Sequence, residues 1–205
     1  VKLLVTSRER LNVQWEWTVV VDGLELPAVG GELRQPAGMG DDPARYSAVQ
    51  LFLARAAPVQ PGFALTAASA EAVVQICQLL SGMPLGIELA AATLRHSTCQ
   101  EIARSLRQNL DFLATSLRDI PARQRSLRAV FQHSFRSLST AEKRIFAALS
   151  VFRGGFTLPA AETVAGATRS VLSDLVDKSL LGRDAQGRFQ LHELLRQYAA
   201  EELTA

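Results

Sequence analysis

The histidine within LHELLRQYA, residues 191–199, is the side chain in this sequence that most invites a chemical reading. Leu191, Leu194, Leu195 and Tyr198 recur at helical spacing and make one apolar stripe. At about 100° per residue, His192 falls at the margin of that stripe, beside a core but not in it. An imidazole so placed can pack, ligate a metal, or donate to a bound anion. Metal chemistry has little support. His96, His133 and His192 lie far apart in the sequence, and none pairs with Cys77 or Cys99 at ligand spacing. The two cysteines read as buried thiols in a reducing compartment. Phosphate cradling by a P-loop needs a lysine after a glycine-rich turn. The three lysines, Lys2, Lys143 and Lys178, follow no glycine. TVVVDG imitates the apolar strand ending in a Mg²⁺-holding aspartate, but without a P-loop Asp22 reads as a turn residue. No G-x-S-x-G elbow is present. The chain holds no self-contained active site, and the expectation is a non-enzyme.

The elements that would position His192 must be drawn from 205 residues, 48% hydrophobic and 20% charged. That is enough for one large domain or two small ones, each with a core. A formal net charge of +2 does not by itself call for a nucleic-acid or membrane partner. No apolar run approaches the roughly 20 residues of a membrane-spanning helix, and no signal peptide opens the chain. A cytoplasmic protein is expected. The sequence opens on Val1 inside the apolar run VKLLVTSR and closes inside the helical pattern YAAEELTA, which points to a piece of a longer polypeptide.

KLLVT reads as a short strand of the kind buried on both faces in a parallel sheet, and EWTVVV as a second. Residues 27–43 are dense in Gly and Pro and read as loop. Helices follow. ARYSAVQLFLARAA carries Val49, Phe52, Leu53 and Ala56 on one face, and SAEAVVQICQLL is opened by Ser69 as N-cap. SGMPLGIELAAATLRH starts a helix at Pro84, with Ile87, Ala91 and Leu94 buried. TCQEIARSL and LDFLATSL add two shorter helices. From Pro121 the texture changes to an arginine-rich amphipathic helix, RQRSLRAVFQHSFRSL. STAEKRIFAALSVF then opens with a capping box, Ser139 and Glu142. TLPAAETVAG and SVLSDLVDKSLL are helical, and LLGRDAQGRFQLH reads as a β-hairpin turning at DAQG. Helix, helix, helix, hairpin is the order of a winged helix. The expected fold is mainly α: a strand remnant of an α/β domain over 1–43, a helical domain over 44–118, and a winged helix over 119–205.

Four stretches in this order, LLVTSRERL, GMPLGIELAAATL, SLRAVFQHSFRSLS through RIFAALSVFRGGF, and LHELLRQYA, resemble the STAND-class signal-transduction ATPases, which are akin to NB-ARC proteins. The nearest look is their bacterial branch of LuxR-type and SARP-type transcriptional regulators. The resemblance covers nearly the whole chain. It implies that the P-loop and Mg²⁺-binding strand lie before Val1. It also implies roles. Arg8, ending TSR, would sense the terminal phosphate, as guanidinium pairs bidentately with phosphate. Pro84 would pack against adenine, with Gly82 and Leu85 shaping the same wall; Met83 stands where the family has Leu. Leu191-His192-Glu193 matches the family's Met-His-Asp, in which the histidine reaches the β-phosphate of ADP.

The resemblance therefore implies a regulatory switch. ATP or ADP with Mg²⁺ would be held in the intact parent, between the missing P-loop domain and this chain, and would bind this piece only feebly. The parent would assemble on activation and contact DNA through another domain. A competing reading makes the winged helix itself a DNA binder. Arg118, Arg123, Arg125, Arg128 and Arg136 stand against one acid, Asp119, in RDIPARQRSLRAVFQHSFR. Against it, the helix before the wing carries Asp174 and Asp177, offset by Arg169 and Lys178. A third reading is a helical interaction scaffold without nucleotide dependence.

Overall fold

The computed structural model describes residues 3–7, 11, 13–19, 21–27, 42–108, 113, 126–184 and 186–204. Two compact units divide the chain: residues 22–129, and residues 130–205 together with 1–21. The described residues are mostly helical, with one small antiparallel hairpin.

In the helical unit, α1 (Ser47–Val59) follows a 3₁₀ turn whose Ala44 N–H is capped by Asp42. Its buried residues are Ala48, Val49, Phe52 and Ala56, and they face α3 (Pro84–Ala92). Leu53, predicted on the same face, is half-buried at the edge of the stripe. The second helix, α2 (Ala67–Leu79), packs on α4 (Cys99–Gln108). Thr66, not Ser69, is the N-cap of α2. The Thr66 hydroxyl accepts from the Ser69 N–H at 3.3 Å, while Ser69 Oγ accepts from the Thr66 N–H at 3.0 Å. Ser69 is the returning half of a capping box, so the helix starts a turn earlier than the apolar pattern suggested. Ile87, Ala91 and Leu94 are buried as their spacing predicts. The helix predicted over LDFLATSL lies outside the described residues except for Leu113, which is buried.

An extended strap, residues 22–27, crosses the helical unit. Leu24 N–H donates to Gly82 O at 2.8 Å, Glu25 N–H to Ser47 Oγ at 2.9 Å, and Gln78 Nε2 to Pro27 O at 3.1 Å. These bonds satisfy a backbone that has no sheet partner.

The second unit is organised around α6 (Thr140–Ala148), which touches α7 (Leu158–Ala165), α8 (Arg169–Asp177) and α9 (Glu193–Thr204). Ser139 and Glu142 form the predicted capping box. Gly166, at φ 62°, closes α7 in the left-handed conformation that glycine adopts without penalty. Helix α5 (Leu127–Arg136) starts in the helical unit and ends in this one. Its Phe131 and Phe135 meet Tyr198 of α9 at ring-centroid distances of 6.4 and 5.5 Å. The hairpin pairs β1 (Gly182–Arg183) with β2 (Phe189–Gln190), and Phe156 adds an isolated bridge to Phe189. The order α6–α7–α8–hairpin–α9 is that of a winged helix.

The strands predicted at KLLVT and EWTVVV are not formed in the described residues 3–7, 16–19 and 21. Leu4 is 98% exposed and Trp17 93%. The reason is physical: a strand needs a neighbour to take its N–H and C=O groups and to cover its faces. Among the described residues, none forms a strand beside these.

Candidate functional site

His192 is the N-cap of α9. Its carbonyl accepts the first helical bond from the Arg196 N–H at 2.8 Å, and its Nδ1 accepts from the Leu194 N–H at 3.1 Å. The imidazole thus does what Ser or Asp does at other helix starts. An Nδ1 that accepts carries no proton, so in the neutral ring the proton is on Nε2 and that nitrogen is a donor. His192 and Leu191 are half-buried, and Leu194, Leu195 and Tyr198 are buried. The stripe read from the sequence is therefore a core face, and the histidine stands at its rim.

Glu193 is engaged locally. Its carboxylate receives Arg196 Nε at 2.8 Å and Nη2 at 2.7 Å, and Gln197 Nε2 at 3.3 Å. The bidentate Arg196 hydrogen bonds hold its pKa below the ordinary carboxylate value against the opposing effect of burial, with Arg153 adding a weaker attraction. Arg196 Nη1 also donates to Ser150 O at 3.3 Å, fixing the start of α9 to the turn after α6. Sequence reasoning overlooked Arg196; its signal was the i,i+3 spacing from Glu193.

Pro84 occupies the first turn of α3 and is exposed, with Leu85 half-buried beside it. Gly82 has a different environment. It lies at φ 68° where α2 ends, and its N–H donates to Cys77 O at 3.1 Å. A Cβ there would overlap the Leu24 carbonyl oxygen and stand 2.7 Å from the Leu24 nitrogen. Gly23 is its counterpart, since a Cβ at 23 would overlap the Ser81 carbonyl oxygen. The two glycines let the strap and the 81–83 turn touch backbone to backbone. Gly82, Pro84 and Leu85 thus share one turn of the helical unit, and His192 belongs to the other unit. Arg8 lies outside the described residues. A shallow groove of about 280 Å³ opens between α2 and α4, beside Glu71, Gln75, Arg104 and Arg107, and none of the expected site residues lines it. Among the described residues no group of three or more His, Cys, Asp or Glu could hold a metal ion, and no helix is long and apolar enough to cross a membrane.

The exposed face of α8 carries Arg169, Ser170, Ser173, Asp174 and Asp177. The hairpin beyond it carries Arg183 and Arg188, both exposed. Arg183 Nε donates to Gly187 O at 3.2 Å and its guanidinium lies over the Phe189 ring, 5.4 Å from the centroid. Arg188 Nη2 donates to Gly155 O in the turn that follows α6.

Over most of its length the chain is similar to a region of larger bacterial proteins, some of them named as regulators. It is 40% identical over 207 residues, 95% of the chain and 23% of the relative, to "Putative HTH-type transcriptional regulator Rv0890c" of Mycobacterium tuberculosis. It is 31% identical over 144 residues, 65% of the chain and 14% of the relative, to "Regulatory protein AfsR" of Streptomyces coelicolor. Rv0894 of M. tuberculosis, whose name assigns no function, is 32% identical over 201 residues, 91% of the chain and 50% of the relative. The chain spans less than a quarter of the length of the first of these relatives. No family model matches it.

Proposed function

We propose that this chain is a regulatory segment of a bacterial transcriptional regulator, with no catalysis of its own and a cytoplasmic place of work. The observation that carries this is the similarity of 95% of the chain to a region of an HTH-type regulator. The helix–helix–hairpin order of the second unit supports it. One relative is named as an HTH-type regulator, and the winged-helix order of the second unit adds to it; a winged helix that faces DNA is the finer reading we adopt. The test is a pull-down of genomic fragments by the full-length regulator, repeated after residues 137–204 are replaced by an unrelated winged helix that does not bind DNA. A lower total yield of DNA supports the reading. An unchanged yield places DNA contact in another domain of the parent.

A second reading follows from the resemblance to STAND-class ATPases. Exposed Pro84 offers an apolar ring at a helix start; the Nε2–H of His192 has the polarity to meet a phosphate oxygen but is buried here, so it would reach one only after the start of α9 moves. In this reading ADP or ATP, with Mg²⁺, binds a P-loop domain elsewhere in the parent. This chain closes over it, and exchange frees the parent to assemble. Arg8 would then contact the terminal phosphate, and Gly82 and Leu85 would border the base. Most of the affinity would reside in the P-loop, so the 205-residue chain alone would hold nucleotide weakly.

A further inference from the structure

The two faces that a DNA-facing winged helix could present differ sharply in charge, and that difference points to how contact is made. Helix α8, which precedes the hairpin, exposes two carboxylates, Asp174 and Asp177, against one guanidinium, Arg169. Laid in a major groove, those carboxylates would meet a wall of phosphates and oppose binding. The hairpin is the reverse. Arg183 and Arg188 are exposed, and among the described residues neither forms a salt bridge with a carboxylate. Asp184, the one acid between them, accepts instead from the Arg188 N–H at 2.8 Å and from Gln190 Nε2 at 3.3 Å.

Both guanidinium groups are also held in place. Arg183 is fixed by the Gly187 carbonyl and the face of Phe189. Arg188 is fixed by the Gly155 carbonyl. The anchor beneath them is rigid, because Phe156 and Phe189 exchange two backbone hydrogen bonds of 2.8 Å and Phe152, Phe156 and Phe189 stack. An arginine tied by one or two of its five N–H groups keeps the others for a ligand, and its rotamer entropy is already spent. Arg153, two residues before Gly155, is exposed as well, and its charge also acts on the Glu193 carboxylate.

We propose that this wing, through Arg183 and Arg188 with Arg153 from the turn that holds Gly155, binds the phosphate backbone of duplex DNA without reading sequence, while α8 stays out of the groove. The proposal rests on the DNA-facing reading of the winged helix. Three phosphate contacts give a slope of log K on log salt of about −2.7, an affinity loss of about 40-fold between 50 and 200 mM salt.

The experiment is fluorescence anisotropy of the 205-residue chain with labelled random-sequence duplexes across that salt range. Arg183→Gln/Arg188→Gln should lower affinity at least tenfold at 50 mM salt and reduce the slope to about −0.9, with Arg169→Gln unchanged. Circular dichroism checks that each variant is folded; if the double variant unfolds, Arg183→Lys/Arg188→Lys should restore folding and keep the steep slope. Equal binding by wild type and a folded double variant, or a larger loss in Arg169→Gln, overturns the wing proposal and leaves the DNA-facing reading standing. Equal affinity for polyglutamate and duplex overturns it in favour of an acidic protein partner. Failure of the wild type to bind duplex at 50 mM salt overturns it too, and the genomic pull-down then decides the broader reading separately.

Discussion

Replacing Gly82 by alanine tests whether that glycine is there for the fold. Two costs add. Alanine at φ 68° pays about 1 kcal/mol for the left-handed conformation. Its Cβ would also overlap the Leu24 carbonyl oxygen, so the strap must move and the 2.8 Å bond from the Leu24 N–H to Gly82 O is strained or lost. That adds about 1–2 kcal/mol. The sum is about 2–3 kcal/mol, or roughly 30- to 140-fold in an opening equilibrium at 1.4 kcal/mol per tenfold. The control is Gly62→Ala. Gly62 has φ 81° but nothing within 4 Å of a built Cβ, so it pays the conformational cost alone. Cys77 supplies the assay. It lies in α2, is fully buried, and burial pushes its thiol up to about 12. It therefore reacts with a disulfide reagent only when the helical unit opens. In a Cys99→Ala background, Gly82→Ala should label roughly 30- to 140-fold faster than the parent chain, and Gly62→Ala about fivefold faster. Equal rates for the two variants would refute the argument, because the steric contact with Leu24 would then carry no energy.

Ser81 sits at φ 47°, and Ser81→Gly should slow Cys77 labelling about fivefold by relieving about 1 kcal/mol of left-handed strain. Glu142 is mostly buried; burial alone would raise its pKa, but Lys178 at 2.6 Å and the Ser139 cap bring it below the ordinary carboxylate value. Its contribution is therefore present above the unfolded pKa and lost as pH falls through the lower folded value, so Glu142→Gln should destabilise by about 2 kcal/mol at pH 7 and by progressively less below about pH 4, read from urea melts. His192→Ala removes the cap of α9 and should cost about 1 kcal/mol, whereas His192→Asn keeps an acceptor and should cost less. In the full-length parent, the nucleotide reading has both variants releasing ADP faster; normal retention in the Asn variant would leave His192 a cap and nothing more.

What the sequence determined by itself is everything that local periodicity and capping chemistry dictate. The Ser139–Glu142 box, Pro84 at a first turn, the buried Ile87, Ala91 and Leu94, and the hairpin around DAQG follow from interactions within a few residues. Such interactions leave their pattern in the chain. The mainly α class was legible for the same reason, and the histidine at the rim of the α9 stripe was found by its angle. Tertiary structure decided the rest. Thr66 takes the cap from Ser69 because the two side chains reach back to each other, a choice both residue types permit. Gly82 stands out by resemblance alone; its contact with Leu24, 58 positions away in sequence, could not be read, because no local pattern announces a contact between distant backbones. The apolar runs near Val1 read as strands, but a strand is a property of a pair, and the described residues hold no second member. The acidity of α8 could be read from its residues. That the hairpin arginines are tied by backbone carbonyls and not by carboxylates could not, because it depends on where Gly155 and Gly187 are carried by the fold.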